Sequence, residues 1–321
     1  MSQAELEAAH CWEAEDRVPG RPAMTEFRRA LRLGQARWRE AHGHPIGSQP
    51  IVPKPGKPAR PLGSRLPLEY ARETGANFVT AKARAAVRAR TSHAEPRQSF
   101  DHQRLWADLL WSPALAFNLF ADIRGDRLVA SRWPDASGAV REVRFVHSPG
   151  WLDPAYLNSL RAFDAALVLH GGGIVGVDVT YHERAKAETP KPENLERYLE
   201  VAERSGAFAP GAVESLAGRS DLAVMWLEHL LLLSMLQHES GTWSWGRYVV
   251  VHPAGNTDVA DMCERYRRML ADASTFSSLT LEELLEAGVH SAATAATLRE
   301  RYVPSAPVKT TATRSPAISP P

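Results

Sequence analysis

A glycine triplet between two apolar arms, each carrying one aspartate, constrains this chain more than any other feature. The first arm runs Phe163-Asp164-Ala165-Ala166-Leu167-Val168-Leu169; His170 and Gly171-Gly172-Gly173 follow, and Ile174 to Glu183 completes the stretch. Runs rich in Val, Leu and Ile on either side of a glycine turn signal two antiparallel strands. Centring the turn on Gly172 pairs His170 with Ile174, Ala166 with Asp178, and Asp164 with Thr180. Strand side chains alternate faces, so Asp164, Asp178 and Thr180 share one face. The two aspartates then become diagonal cross-strand neighbours, roughly 7–8 Å apart at the backbone. Paired carboxylates repel unless a positive group lies between them, and a magnesium- or manganese-type ion prefers such oxygen ligands. On spacing alone, a solvated sheet face carrying both aspartates is an equally open reading.

Bulk composition fits an enzyme-sized protein without identifying one. A length of 321 residues with 44% hydrophobic content is enough for a proper core. Two cysteines, Cys11 and Cys263, exclude a disulfide framework and a four-cysteine zinc site. The N-terminus lacks a basic start followed by an apolar run, and the most apolar stretch, Leu222 to Leu236, is too short to span a bilayer. The expectation is a cytoplasmic protein. The formal charge of +1 hides an asymmetry: residues 21–100 hold 16 Lys/Arg against 5 Asp/Glu, a net +11, which leaves −10 for the rest. A basic flank suits nucleic-acid binding, since phosphate attraction supplies most non-specific affinity. The same arginines, among them Arg28, Arg29, Arg32, Arg37 and Arg39, equally suit the wet side of an amphipathic helix or a disordered basic arm.

Breakers and periodicity organise the chain into a basic, Pro-rich N-terminal arm with short helices (1–68), a main domain (69–302) and a disordered Pro/Ser/Thr-rich tail (303–321). A loose, polar end with a short helix ends at Pro19-Gly20, and Phe27, Leu31, Leu33 and Trp38 predict a helix over 23–42. Seven prolines make 43–68 an extended linker. Helices are predicted over 76–90 and 101–121, the second interrupted near Ser112-Pro113, and a strand over 140–148. After the hairpin, Pro192 opens a helix to about Ser205, Asp221 caps an apolar helix to His238, and Tyr248–His252 is a buried strand. Helices follow over 258–271, from a capping box at Thr280, and over 291–302. Three or four strands with helices before and after predict an α/β sandwich with a mixed sheet between helical layers.

The aspartate pair carries a resemblance. An aspartate followed after about fourteen residues by Asp/Glu-x-Lys resembles the signature of the PD-(D/E)XK nuclease superfamily, the restriction-endonuclease-like fold. Further blocks resemble a bacterial restriction-endonuclease branch of it: Leu105-Trp106-Ala107-Asp108-Leu109-Leu110 with Ala116-Phe117-Asn118-Leu119-Phe120, and Val143 through Gly150. Leu233-Ser234-Met235-Leu236-Gln237, Gly246 through Val250, and Pro253-Ala254-Gly255-Asn256 extend it, so that it covers about residues 75–302. The resemblance implies an α/β/α sandwich and Mg2+- or Mn2+-dependent cleavage of a DNA phosphodiester. It also implies that Asp164, Asp178 and the Val179 carbonyl hold the ion, which activates water and neutralises charge on the phosphate. A homodimer is the expected form for cutting both strands of a duplex.

One departure matters. Thr180 stands where the family has its lysine, and threonine donates one hydrogen bond without a positive charge. Losing one preorganised donor costs on the order of 3 kcal/mol in the transition state, about 100- to 1,000-fold in rate. A catalytically degenerate protein that binds nucleic acid or a protein partner is therefore the alternative. His182, on the predicted face of Asp178, is a candidate ligand or base; Glu183 matches an acidic position of the resembling branch; Lys186 is a candidate migrated charge. Weaker candidates are Gln237 near the site, Trp243 and Trp245 as base-stacking rings, Arg161 and Arg247 as phosphate contacts, and His42 with His44 as a metal pair. Gly171-Gly172-Gly173 lacks the following Gly-Lys-Ser/Thr of a phosphate loop and reads as the hairpin turn.

Overall fold

The computed structural model describes residues 1–11, 22–53, 55–56, 58–93, 95, 98, 100–123, 139–183 and 187–303. Pro19-Gly20, Lys186 and the tail beyond 303 lie outside them. The chain opens with α1 (Gln3–Ala8), closed by a Ser2–Glu5 capping box, and α2 (Pro22–Ala41). A ribbon of β1 (Gly47–Gln49) and β2 (Arg60–Leu62) follows. Next come α3 (Leu68–Thr74), α4 (Ala81–Ser92), α5 (His102–Ala107) and α6 (Ser112–Phe120). The sheet then begins with β3 (Val140–His147), β4 (Phe163–Leu169) and β5 (Gly173–Val179). It resumes, after α7 (Leu195–Ser205), α8 (Ala212–Ala217) and α9 (Ala223–Leu236), with β6 (Trp245–His252). The chain ends through α10 (Thr257–Arg267), β7 (Phe276–Thr280), α11 (Leu281–Glu286) and α12 (Ala292–Tyr302).

The five main strands lie in chain order, β3-β4-β5-β6-β7. The first three pair antiparallel and the last two join in parallel, so the sheet is mixed. Alternation along β4 and β5 feeds two cores. Ala165, Leu167, Val175, Val177 and Val179 pack with α6 and with Leu31 and Trp38 of α2. Ala166, Ile174, Tyr248 and Val250 pack with α7, α9 and α10 on the opposite face. Such two-faced burial makes the strands near-continuous apolar runs. The result is the expected α/β architecture, a central mixed sheet between helical layers.

Four expectations change. The hairpin register is offset by two residues from the one centred on Gly172: Ala166 faces Gly176 and Val168 faces Ile174. Gly173 is drawn into β5 because a Cβ there would meet the Trp245 ring at 2.4 Å, so the loop falls on His170, Gly171 and Gly172, both glycines with positive φ. The linker expected over 43–68 is partly a packed ribbon. Leu66 donates its amide to the Ala107 carbonyl at 2.9 Å and Leu109 donates to Ser64 at 3.0 Å, which buries Leu62 and Leu66. Short edge pairing of this kind tolerates proline. Asp221 is not the cap of α9: its carboxylate accepts from Arg265 at 2.6 and 3.2 Å, and the helix starts behind Leu222. Finally, β7 was not expected at all, its Ser277 and Ser278 masking a short edge strand that leads directly into the Thr280 capping box.

Candidate active site

Continuing the β4–β5 register by one pair sets Asp164 directly opposite Asp178, on the face toward α9. An offset of two residues preserves strand parity, so the shared face predicted from the sequence is found. Here the carboxylates replace carbonyls as partners across the ladder. Asp164 Oδ2 accepts from the Val179 amide at 3.0 Å, and Asp178 Oδ1 accepts a longer bond from the Asp164 amide at 3.4 Å. The Tyr248 hydroxyl, on the neighbouring strand β6, donates to Asp178 Oδ2 at 2.9 Å.

A third carboxylate comes from the crossover helix. Glu228 is 6% exposed within the mostly apolar α9, and its Oε2 has no hydrogen-bond partner. Arg161, just before β4, bonds Glu228 Oε1 at 3.4 Å and also pairs with Glu188. Burial pushes the Asp164 carboxyl well above its usual range, and the neighbouring Asp178 charge adds to this. Burial likewise raises Asp178 to about 6, although the Tyr248 hydroxyl opposes the shift. Glu228 is raised well above normal by burial and then by Asp178. Tyr248 is held protonated for the same two reasons, which keeps it a donor. Both aspartates keep part of their surface open despite dense surroundings, and Asp164 lines a cavity.

Among the described residues, no three His, Cys, Asp or Glu side chains already converge as a ligand set. The donor chemistry nonetheless fits a hard divalent ion: three acidic side chains, one oxygen without a donor, and one shared guanidinium. Burying carboxylates costs several kcal/mol each unless they are paired, and one arginine already divided between Glu228 and Glu188 offsets only part of that.

A cavity of about 720 Å3 opens beside this group. Its charged wall holds Asp101, Asp164, Glu188 and Glu228 against Arg161 and Lys191. An incoming phosphate meets a net acidic surface there, and a bound divalent cation would reverse that.

The other candidates fall in different places. Thr180 extends β5, its amide donating to Val251 at 2.8 Å, and Val179 presents its amide to Asp164. The Glu183 carboxylate accepts from the Ser112 amide at 3.3 Å and from the Ser112 hydroxyl, so it caps α6. His182 is buried, and both burial and the nearby Arg32, Arg28 and Arg104 hold it neutral, far below its usual pKa. Gln237 ties α9 to α7 through the Val201 carbonyl at 2.9 Å, Arg247 donates to the Ser274 carbonyl at 2.9 Å, and Trp245 covers Gly173. His42 and His44 pack as rings with Trp38 and Tyr70.

Sequence reading missed the roles of Glu228, Glu188 and Tyr248. Glu228 had a signal, a lone carboxylate amid a long apolar run, which demands a partner when buried. Tyr248 had none, because its reach across β5 depends on the register.

A model of the PD-(D/E)XK nuclease superfamily matches residues 22–304. No curated protein matches the chain, and no solved structure does.

Proposed function

We propose, for a chain that belongs to the PD-(D/E)XK nuclease superfamily, a divalent-metal-dependent hydrolysis of DNA phosphodiester bonds at the Asp164–Asp178 pair. The observation that carries this reading is the direct opposition of two carboxylates with raised proton affinity beside a third, Glu228, which has an oxygen without a donor. Asp164, Asp178 and Glu228 would hold a magnesium- or manganese-type ion. Such an ion, when bound, neutralises charge on the phosphate and makes water a better nucleophile at neutral pH.

The chain's own residues do the rest. Tyr248 fixes the orientation of Asp178 through its 2.9 Å hydrogen bond. Arg161 is fixed by Glu188 and Glu228 at the cavity wall, where its charge faces an entering phosphate. Thr180 follows Asp178 by two residues, at the station of the family's lysine, with a hydroxyl in place of an ammonium. Arg161 and Lys191 are the cations on the cavity wall.

The test is incubation of purified protein with plasmid DNA in Mg2+ or Mn2+, beside Asp164→Asn and Asp178→Asn. Metal-dependent nicking that falls at least about 100-fold in both variants is the expected result, the size of a lost preorganised group. Nicking that persists undiminished in the variants refutes it. Thr180 motivates a second reading, a degenerate relative that binds DNA without cutting it. Salt-sensitive DNA binding with no cutting in either metal selects that reading, and gain of cutting in Thr180→Lys would show that the remainder of the site is assembled.

A further inference from the structure

The cavity that Asp164 and Glu228 line also has apolar and aromatic lining. Phe100, Trp111, Trp151 and Leu160 line it. Each ring is half-buried, and Leu160 is 41% exposed, one of few large apolar side chains so open among the described residues. Their positions are fixed by neighbours. The Trp151 indole N–H donates to Glu95, and Phe100 and Trp111 lie with ring centroids 5.6 Å apart. The end of β3 and the segment that leads to β4 hold strain: Val146, Leu152 and Asn158 all have positive φ, at 49°, 55° and 49°. For a β-branched residue such as Val146 that conformation is a genuine outlier, and strain of this kind concentrates at ligand clamps.

Aromatic and apolar side chains together with charged groups in one cavity select its occupant. The volume, about 720 Å3, lies in the range of pockets that enclose one small ligand of roughly drug size. Arg161 and Lys191 suit a phosphate, while the rings and Leu160 suit the face of a base. A base paired inside a duplex cannot present that face, because its neighbours in the stack already cover it.

We infer that this cavity takes an unpaired nucleotide, base against Trp151 and Leu160 and phosphate toward Asp164, so that the preferred substrate is single-stranded DNA. The inference rests on the proposed activity for its orientation, and it names the substrate class of that same site. One active site suffices to cut one strand, so this substrate removes the need for the dimer that duplex cutting would require.

The test uses the full chain carrying Asp178→Asn, with Ca2+ present, and a labelled oligonucleotide offered single-stranded or annealed to its complement. Fluorescence anisotropy is expected to give at least tenfold tighter binding of the single strand. Trp151→Ala should lose on the order of tenfold or more of that affinity, the scale of one stacked base, while Trp151→Phe retains most of it. Leu160→Glu, at an exposed position that the fold tolerates, should weaken single-strand binding and leave the melting temperature unchanged. Equal affinity for the two forms, or single-strand affinity untouched by both Trp151→Ala and Leu160→Glu, overturns the inference. The two readings fail separately. Efficient cutting of duplex without single-strand preference removes this inference and keeps the activity, whereas single-strand binding through Trp151 without metal-dependent cutting removes the activity and keeps the pocket.

Discussion

Half-buried Arg161 and buried Glu228 form a pair whose value depends on what is removed. Arg161→Met leaves Glu228 and Glu188 without their cation beside two further carboxylates, so it should destabilise the fold by about 1–3 kcal/mol, less than a fully buried pair because Arg161 and Glu188 keep contact with solvent. The double change Arg161→Met with Glu228→Leu should recover much of that loss while abolishing metal-dependent cutting. Chemical denaturation of the three proteins measures the difference, and an Arg161→Met variant as stable as the parent would show that the pair is not balanced in this way. His229, the next residue, makes a pH prediction with a definite sign. It is fully buried between Tyr266 and Thr275, and burial lowers its pKa to about 3. The unfolded chain protonates it near 6.5, so between those values the unfolded state binds more protons and stability falls as pH falls. The urea midpoint of the parent should therefore fall relative to that of His229→Gln as pH drops from about 6.5 toward 3; parallel curves would sink the assignment.

The hairpin shows at element scale what a linear sequence can fix. Gly176 has no room for a side chain, since a Cβ would come within 2.6 Å of the Phe163 ring. Gly176→Ala should therefore cost about 1–3 kcal/mol from overpacking, read as a lowered melting temperature, and it should reduce cutting by shifting β5 under Asp178. A variant with unchanged stability and activity would mean that the ring simply turns aside. Strand parity was legible in the alternation around Asp164 and Asp178, and it survived a register error because the error was even. The register itself was not legible. Position 173, which the hairpin draws into β5, has no room for a side chain beneath Trp245, a contact made by a residue more than seventy positions away. The same holds for the site. Glu228 announced itself as a charge in an apolar helix, but that α9 lays it against β4 and β5 follows from the crossover, not from local pattern. Thr280 and Glu283 lay within one turn of each other, so their capping box was readable directly.

At the scale of the whole molecule, residues from both ends of the described chain meet in one buried network, and this determines how it should unfold. Gln35 of α2 donates to the Arg301 carbonyl at 2.9 Å and accepts from the Arg301 guanidinium at 3.2 Å. That guanidinium also donates to the Asn77 carbonyl at 2.8 Å and lies 4.0 Å from the Trp38 ring centroid. Tyr181, just beyond the strand that carries Asp178, accepts from Gln35 at 3.2 Å and donates to Tyr302 at 3.2 Å. A basic N-terminal arm, free to move, cannot hold such a network, because its buried donors and acceptors would lose their partners at about 1–3 kcal/mol each. The positive charge read from residues 21–100 is accordingly in part structural: Arg28, Arg32 and Arg65 are all buried. Arg301→Ala should then destabilise the sheet's site end as well as α2 and α12, and it should do so in one step. A single unfolding transition is expected for the parent, seen alike by far-ultraviolet circular dichroism and tryptophan fluorescence, with its midpoint lowered by several kcal/mol of stability in the variant. Two separated transitions in the parent, with the Arg301→Ala effect confined to the first, would instead make the N-terminal helices an independent unit and leave the site's stability unconnected to them.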